Sequence, residues 1–309
     1  MPAGAVPGLH HVTSLCRDPQ RNLDFYAGFL GQRLVKRTVN FDAPDGYHLY
    51  YGNQMGSPGT LMTFFPVPNA ARGHPGPGMA SALACRVAPG AVDGWIRRLA
   101  GRGIGFDGPS ERFGERMLVL RDPDGAPLEL IETQAPETDG LHSVTLCVAE
   151  PDPTARFLTE QFGFRAAGRE AVAGRERLRF LAEGGARGTV VDLVQGAPPE
   201  RPRTGAGSIH HVAFRAESDE VQTAWRERLL VAGFRVTPVI DRQYFRAIYF
   251  REPGGILFEI ATDPPGFAVD EAPGALGTAL KLPPHSEPIR ARLERVLPVL
   301  RLPGAPEGG

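Results

Sequence analysis

Leu9-His10-His11-Val12-Thr13 and Ile209-His210-His211-Val212-Ala213 are near copies of one short run, 211 − 11 = 200 residues apart. Each sets two adjacent histidines among apolar and β-branched residues, a pattern that favours a strand. A third copy, Leu141-His142-Ser143-Val144-Thr145, keeps only the first histidine. A looser fourth, Ala82-Leu83-Ala84-Cys85, keeps neither. Recurrence at a spacing of some tens of residues marks repeated supersecondary units.

Each run is followed by apolar residues at helical spacing. The pattern predicts helices over 21–30, 92–100, 154–162 and 219–232, each ending near a C-capping glycine: Gly31, Gly103, Gly163 and Gly233. Extended segments then close each unit. Arg121-Asp122-Pro123-Asp124-Gly125-Ala126-Pro127-Leu128-Glu129 and Arg251-Glu252-Pro253-Gly254-Gly255-Ile256-Leu257-Phe258-Glu259 repeat one another as a tight turn launching a strand. The other two units close on 59–65 and 188–194. The chain therefore reads as four βαβββ units, over 8–66, 79–134, 140–195 and 207–263. The Pro/Gly/Arg-rich stretch 197–207 joins the last two. A helix with Ser286 as N-cap and Pro288 in its first turn is expected over 286–300.

Hydrophobic residues make up 42% of the 309-residue chain and charged residues 22%, a globular composition, and the formal net charge is −1. No basic surplus points to nucleic acid, and no run points to a membrane. The three cysteines, Cys16, Cys85 and Cys147, form no paired framework, and the first eight residues lack a signal pattern. A cytoplasmic protein is expected. A homo-oligomer is compatible with the sequence.

A βαβββ unit cannot cover its own sheet, so such units pair into half-open barrels with a central cavity. The fold class expected is α+β, with two such barrels. This arrangement resembles the vicinal-oxygen-chelate superfamily, which includes glyoxalase I, extradiol dioxygenases and the bleomycin resistance proteins. The sequence-order division is 8–134 and 140–263 for the two pairs of units, and 264–309 for the tail. The resemblance implies two metal-ligand slots per unit, near the start of the first strand and in the middle of the last. Here the start slots hold His11, Ala82, Ser143 and His211, and the end slots Thr63, Glu129, Asp192 and Glu259. Only the pairing of units 1 and 4, leaving 2 with 3, yields two histidines and a carboxylate: His11, His211 and Glu259. That is the facial set of non-haem Fe(II) oxygenases. His142 aligns with His10 and His210 instead, on the opposite strand face, so a structural role is expected. Glu129 is expected to pair with an arginine.

A narrower resemblance rests on both His-His runs, on Asp241-Arg242-Gln243-Tyr244-Phe245-Arg246-Ala247-Ile248-Tyr249-Phe250, and on Leu282-Pro283-Pro284. These look like ring-cleaving dioxygenases of the hydroquinone type. The likeness implies Fe(II), with Mn(II) as the alternative, on His11, His211 and Glu259. It implies surrounding roles for His10, Thr13, His210, Arg242 and Tyr249. Substrates would be a small aromatic diol and dioxygen. The bland alternatives are a surface salt bridge for Arg242 and a core aromatic for Tyr249. Three rival readings remain: a glyoxalase-type isomerase or thiol transferase, which Thr63 at the fourth slot disfavours, a metal-free binding protein, and a dioxygenase acting on catechols, which the sequence does not separate from hydroquinones. His48, His74 and His285 fall in turn-rich or polar stretches and receive no role.

Overall fold

The computed structural model describes residues 4–134, 139–172, 174–196 and 202–303. Residues 197–201 of the expected linker, and the two ends of the chain, lie outside these. Four units follow one another, each a strand, a helix and further strands. Unit 1 has β1 (Leu9–Cys16), α1 (Pro19–Leu23), β2 (Arg33–Asn40), β3 (Ala43–Gly52) and β4 (Leu61–Pro66). Unit 2 has β5 (Met79–Val87), α2 (Val92–Gly101), β6 (Phe106–Arg112), β7 (Glu115–Arg121) and β8 (Pro127–Glu132). Unit 3 has β9 (Leu141–Val148), α3 (Pro151–Arg156), β10 (Arg165–Val172), β11 (Arg175–Leu181) and β12 (Val190–Gln195). Unit 4 has β13 (Ile209–Ala216), α4 (Asp219–Val231), β14 (Ile240–Asp241), β15 (Phe245–Arg251) and β16 (Leu257–Pro265).

These strands form two eight-stranded sheets, ordered β14-β15-β16-β13-β1-β4-β3-β2 and β10-β11-β12-β9-β5-β8-β7-β6. Each is a curled half-barrel. Unit 1 shares a sheet with unit 4, and unit 2 with unit 3. Each sheet therefore draws strands from both halves of the sequence. Its seam is an antiparallel pairing of two first strands, β1 with β13 and β5 with β9.

Alternation along the strands separates two faces. Val12, Phe258 and Ile260 join the large core that also takes Leu23, Phe25 and Trp225 from the helical segments. The other face of the first sheet carries His11, Thr13 and Glu259, near a small cluster including Val35, Tyr50, Leu61 and Ala213. This face lines the cavity. The seam strand β9 is buried at every position because both of its faces are covered.

The helices of units 1 and 3 differ from expectation. Each is a short α-turn that widens into a π-turn, over Asp24–Phe29 and Phe157–Gln161. Leu30 N–H donates to the Phe25 carbonyl at 2.8 Å, five residues back, and Phe162 N–H to Phe157 at 3.2 Å. The widened turn lets Phe25, Tyr26 and Phe29 in unit 1, and Phe157 and Leu158 in unit 3, all enter the core. Ser286 does not cap the last helix. A 3-10 stretch, Pro284–Ile289, absorbs it together with Pro288, and α5 (Arg290–Val296) starts after Ile289. Leu293, Leu297 and Leu300 are buried, and Tyr47 of β3 donates to the Pro298 carbonyl at 2.9 Å.

The turns that launch β8 and β16 are closed by buried carboxylates. Asp122 accepts the amides of Asp124 and Ala126 at 2.9 and 2.8 Å, and Glu252 accepts Ile256 N–H at 3.0 Å. Burial pushes the Asp122 carboxyl up from its ordinary 3.8 to about 6. Between those values the unfolded chain has released the proton while the folded chain keeps it, so stability falls as pH rises. Asp122→Asn has no such proton to lose. Its thermal midpoint should gain on the parent between pH 3.8 and 6 and stay ahead above that, measured by circular dichroism.

In the second barrel the end-slot carboxylates are neutralised from within. Arg112 grips Glu129 with bonds of 2.5 and 2.9 Å, and Arg179 grips Asp192 at 2.9 and 3.1 Å. Arg112→Ala would strand a buried carboxylate and should cost about 3–5 kcal/mol in chemical denaturation. Arg112→Met combined with Glu129→Leu should recover most of that loss.

Candidate metal centre

Register across the first sheet builds the site in two rows. One row runs Tyr249, Glu259, Ala213, His11 across β15, β16, β13 and β1. The other runs Tyr50, Thr63, Thr13, His211 across β3, β4, β1 and β13. The rows are the same pattern seen from either side of the seam. The second sheet repeats it as Val119, Glu129, Ala84, Ser143 and as Arg179, Asp192, Thr145, Ala82. All four units thus place their slot residues equivalently, and the residue types alone differ.

Neighbouring strands and curvature bring three donors together. His211 Nε2 lies 2.9 Å and His11 Nε2 3.5 Å from Glu259 Oε2, and the two Nε2 atoms are 3.4 Å apart. Donors on adjacent corners around a metal with bonds of about 2.1 Å stand about 3 Å apart, so the set can hold a metal ion. Among the described residues this is the group of histidine and acidic side chains that could do so. Glu259 is 0% exposed, and the polar groups that face its carboxylate are the two imidazoles and the Tyr249 hydroxyl. Among the described residues no arginine or lysine pairs with it, and a buried carboxylate with no such partner calls for a cation. Burial works to push its carboxyl up, but the two imidazoles hold it well below the usual range.

The first histidine of each run orients the second. His10 Nδ1 is 2.9 Å from His11 Nδ1, and His210 Nδ1 is 2.8 Å from His211 Nδ1. Burial, aided by the neighbouring imidazole, lowers His10 to about 3 and His210 to about 4, so both stay neutral at pH 7. Each can accept an Nδ1–H, which leaves the Nε2 lone pairs of His11 and His211 free for a metal. His10 is buried, while His210 is exposed beside the cavity.

Arg242 follows β14 and forks onto Asp42 at 3.1 and 3.0 Å, while its Nε donates to the Tyr249 hydroxyl at 3.2 Å. It is therefore both an ion-pair partner and a cavity wall. Tyr249 is partly buried against His211, with ring centroids 5.8 Å apart. Thr13 bonds Thr63 at 2.7 Å and touches neither slot histidine by hydrogen bond. His142 holds Ser143 and Glu115 in the second barrel, at 3.0 and 2.9 Å.

A cavity of about 210 Å³ opens over the three donors. His48 also lines it, contrary to its assignment to a turn. It sits within β3, 8% exposed, bonded to Thr63 at 2.9 Å and to Tyr50 at 2.8 Å. The signal in the sequence was Tyr50 standing where Tyr249 stands in unit 4, which puts His48 on the same face two residues earlier.

If the cluster is a metal site, the purified chain should carry one divalent ion, counted by elemental analysis. His11→Ala and His211→Ala should carry none. Free metal at about one hundred times Kd should stabilise the parent by about 2.7 kcal/mol and leave both variants unmoved.

Known proteins share this design. MhqO of Bacillus subtilis, provisionally named a ring-cleaving dioxygenase, is 43% identical over 94% of this chain and 95% of its own length. A chlorohydroquinone/hydroquinone 1,2-dioxygenase of Sphingobium indicum is 34% identical over 94% of this chain and 96% of its own. A Bacillus subtilis crystal structure, titled as a dioxygenase on a provisional basis, superposes with a TM-score of 0.91 at 42% identity, covering 97% of this chain and 99% of that one. Glyoxalase I from Zea mays shares the fold, with a TM-score of 0.63 at 17% identity over 83% of this chain and 92% of its own. The glyoxalase/bleomycin resistance protein/dioxygenase superfamily model matches residues 8–130 and 140–260, and the chain belongs to that superfamily.

Proposed function

We propose that this protein is an Fe(II)-dependent dioxygenase that cleaves the ring of hydroquinone-type aromatic diols, Mn(II) being the alternative metal. The observation that carries the reading is the donor set itself. Two neutral imidazoles and one carboxylate, with Thr63 at the fourth slot, leave several corners open. The relatives named for ring cleavage and for hydroquinone support the substrate class. When bound, the metal would acidify a diol hydroxyl and carry electrons from the ring to dioxygen.

The chain's own groups supply the rest. His11, His211 and Glu259 hold the ion. Phe245, packed on the rings of His10 and His11 at 5.3 and 5.2 Å, gives the cavity an apolar wall for a ring. The Arg242 guanidinium and the Tyr249 hydroxyl donate to negative charge that develops on substrate oxygens. His210, open to the cavity, takes and returns a proton at Nε2. His10 and Thr13 hold the surrounding geometry.

The test is oxygen uptake by anaerobically prepared, Fe(II)-reconstituted protein offered hydroquinone, methylhydroquinone, chlorohydroquinone and catechol. Uptake with the hydroquinones is expected, and His11→Ala should abolish it. Arg242→Ala should lower kcat about a hundredfold with metal content intact. A metal-loaded protein that consumes no oxygen with any diol would sink the reading and favour an isomerase or transferase.

A further inference from the structure

Tyr50 and Tyr249 occupy equivalent places in units 1 and 4. Each pairs with the end-slot residue of its own unit, Thr63 or Glu259, on the same side of the sheet. Both line the cavity above the three donors. Their hydroxyls have unlike surroundings. Arg242 Nε donates to the Tyr249 oxygen, and a guanidinium can only donate. The Tyr249 O–H can then only donate, and the Glu259 carboxylate faces it.

Tyr50 is tied instead to groups that can both give and take. Its hydroxyl lies 2.8 Å from His48 Nδ1, and His48 Nε2 lies 2.9 Å from Thr63 Oγ1. Thr63 Oγ1 lies 2.7 Å from Thr13 Oγ1. All four side chains are at most 8% exposed. Burial holds His48 well below its ordinary value, so its imidazole is neutral, with one donor and one acceptor nitrogen.

Such a chain can run in either direction. In one, Tyr50 donates to His48 Nδ1, Nε2–H donates to Thr63, and Thr63 donates to Thr13. The Tyr50 oxygen then offers the cavity a lone pair. In the other, every bond is reversed, and Tyr50 offers the cavity its O–H. Neither direction places a charge on any member. Tyr50 can therefore meet a hydroxyl that donates and equally an oxygen that accepts.

We propose that Tyr50 binds the second hydroxyl of the diol, the one the metal does not hold, and that His48 positions Tyr50 for this. The proposal rests on the diol reading above. It makes Tyr50 the residue that separates a two-hydroxyl ring from a simple phenol.

The experiment is anaerobic titration calorimetry on the Fe(II)-loaded full chain, comparing hydroquinone with 4-methylphenol, which replaces the second hydroxyl by a methyl group. The parent should prefer hydroquinone by about tenfold or more, the worth of one hydrogen bond with its partner left unpaired. Tyr50→Phe should erase that preference by weakening hydroquinone alone, with metal content and 4-methylphenol affinity unchanged. His48→Phe should do likewise. His48→Asn, whose amide offers both a donor and an acceptor near the Nδ1 position, should restore part of the preference. An unchanged preference in Tyr50→Phe would overturn the assignment. A parent that binds neither ring would overturn the diol reading with it, whereas a parent that cleaves hydroquinones yet binds both rings equally would overturn the Tyr50 assignment alone.

Discussion

The Glu259 carboxylate is the constraint on which the site depends. It is fully buried in a strand between Phe258 and Ile260, and among the described residues no arginine or lysine pairs with it. A lone buried charge of that kind is costly, by several kcal/mol even after relaxation. The second barrel shows the remedy that this fold can supply from its own sequence. Glu129 and Asp192 stand in equivalent register and each has an arginine clamped on it. In the first barrel the guanidinium that lines the cavity among the described residues, Arg242, is engaged by Asp42 and Tyr249. Positive charge for Glu259 has to come from its two imidazoles or from an ion. An ion bound there would leave both imidazoles neutral, with their two Nε2 lone pairs converging on it.

The four units thus share a scaffold and divide its uses. Where the start slots carry Ala82 and Ser143, the end-slot carboxylates are held by buried arginines. Where they carry His11 and His211, the lumen stays open over the donors. The outer walls diverge in the same way. Tyr249 is answered by a permanent cation and Tyr50 by a neutral imidazole, so the two sides of one cavity differ in charge while matching in shape.

Much of this was legible because the sequence repeats. Aligning His11 with His211, and Glu129 with Glu259, needs no structure, and strand pairing preserves that alignment in every unit. The pairing of Glu129 with an arginine and the structural place of His142 follow from the same alignment. The misses have a common cause. Where a residue is fixed by what crosses from another element, local pattern is silent. The π-turns at Phe25 and Phe157 depend on a core that the helix period does not encode. Ser286 lies in a 3-10 stretch shaped by Pro284 and Pro288. His48 sits near the turn-like Ala43-Pro44-Asp45-Gly46, which masks a strand that the curled sheet extends through it.

The choice of Thr63 at the fourth slot has an electrostatic consequence. Two neutral imidazoles and one carboxylate around a divalent ion leave a net charge of +1. A second carboxylate, at the position of Thr63, would cancel it before any substrate arrived. With Thr63 held by His48 and Thr13, the residual positive charge of such a site would be matched by an incoming anion. A phenolate is such an anion, and beside donors this deeply buried the match would be worth more than in water. The same hydroxyl that withholds a charge from the ion also anchors the chain that ends on Tyr50. One residue at one repeat position would therefore set both how strongly a bound ion favours an anionic ligand and what polar group waits on the wall beside it.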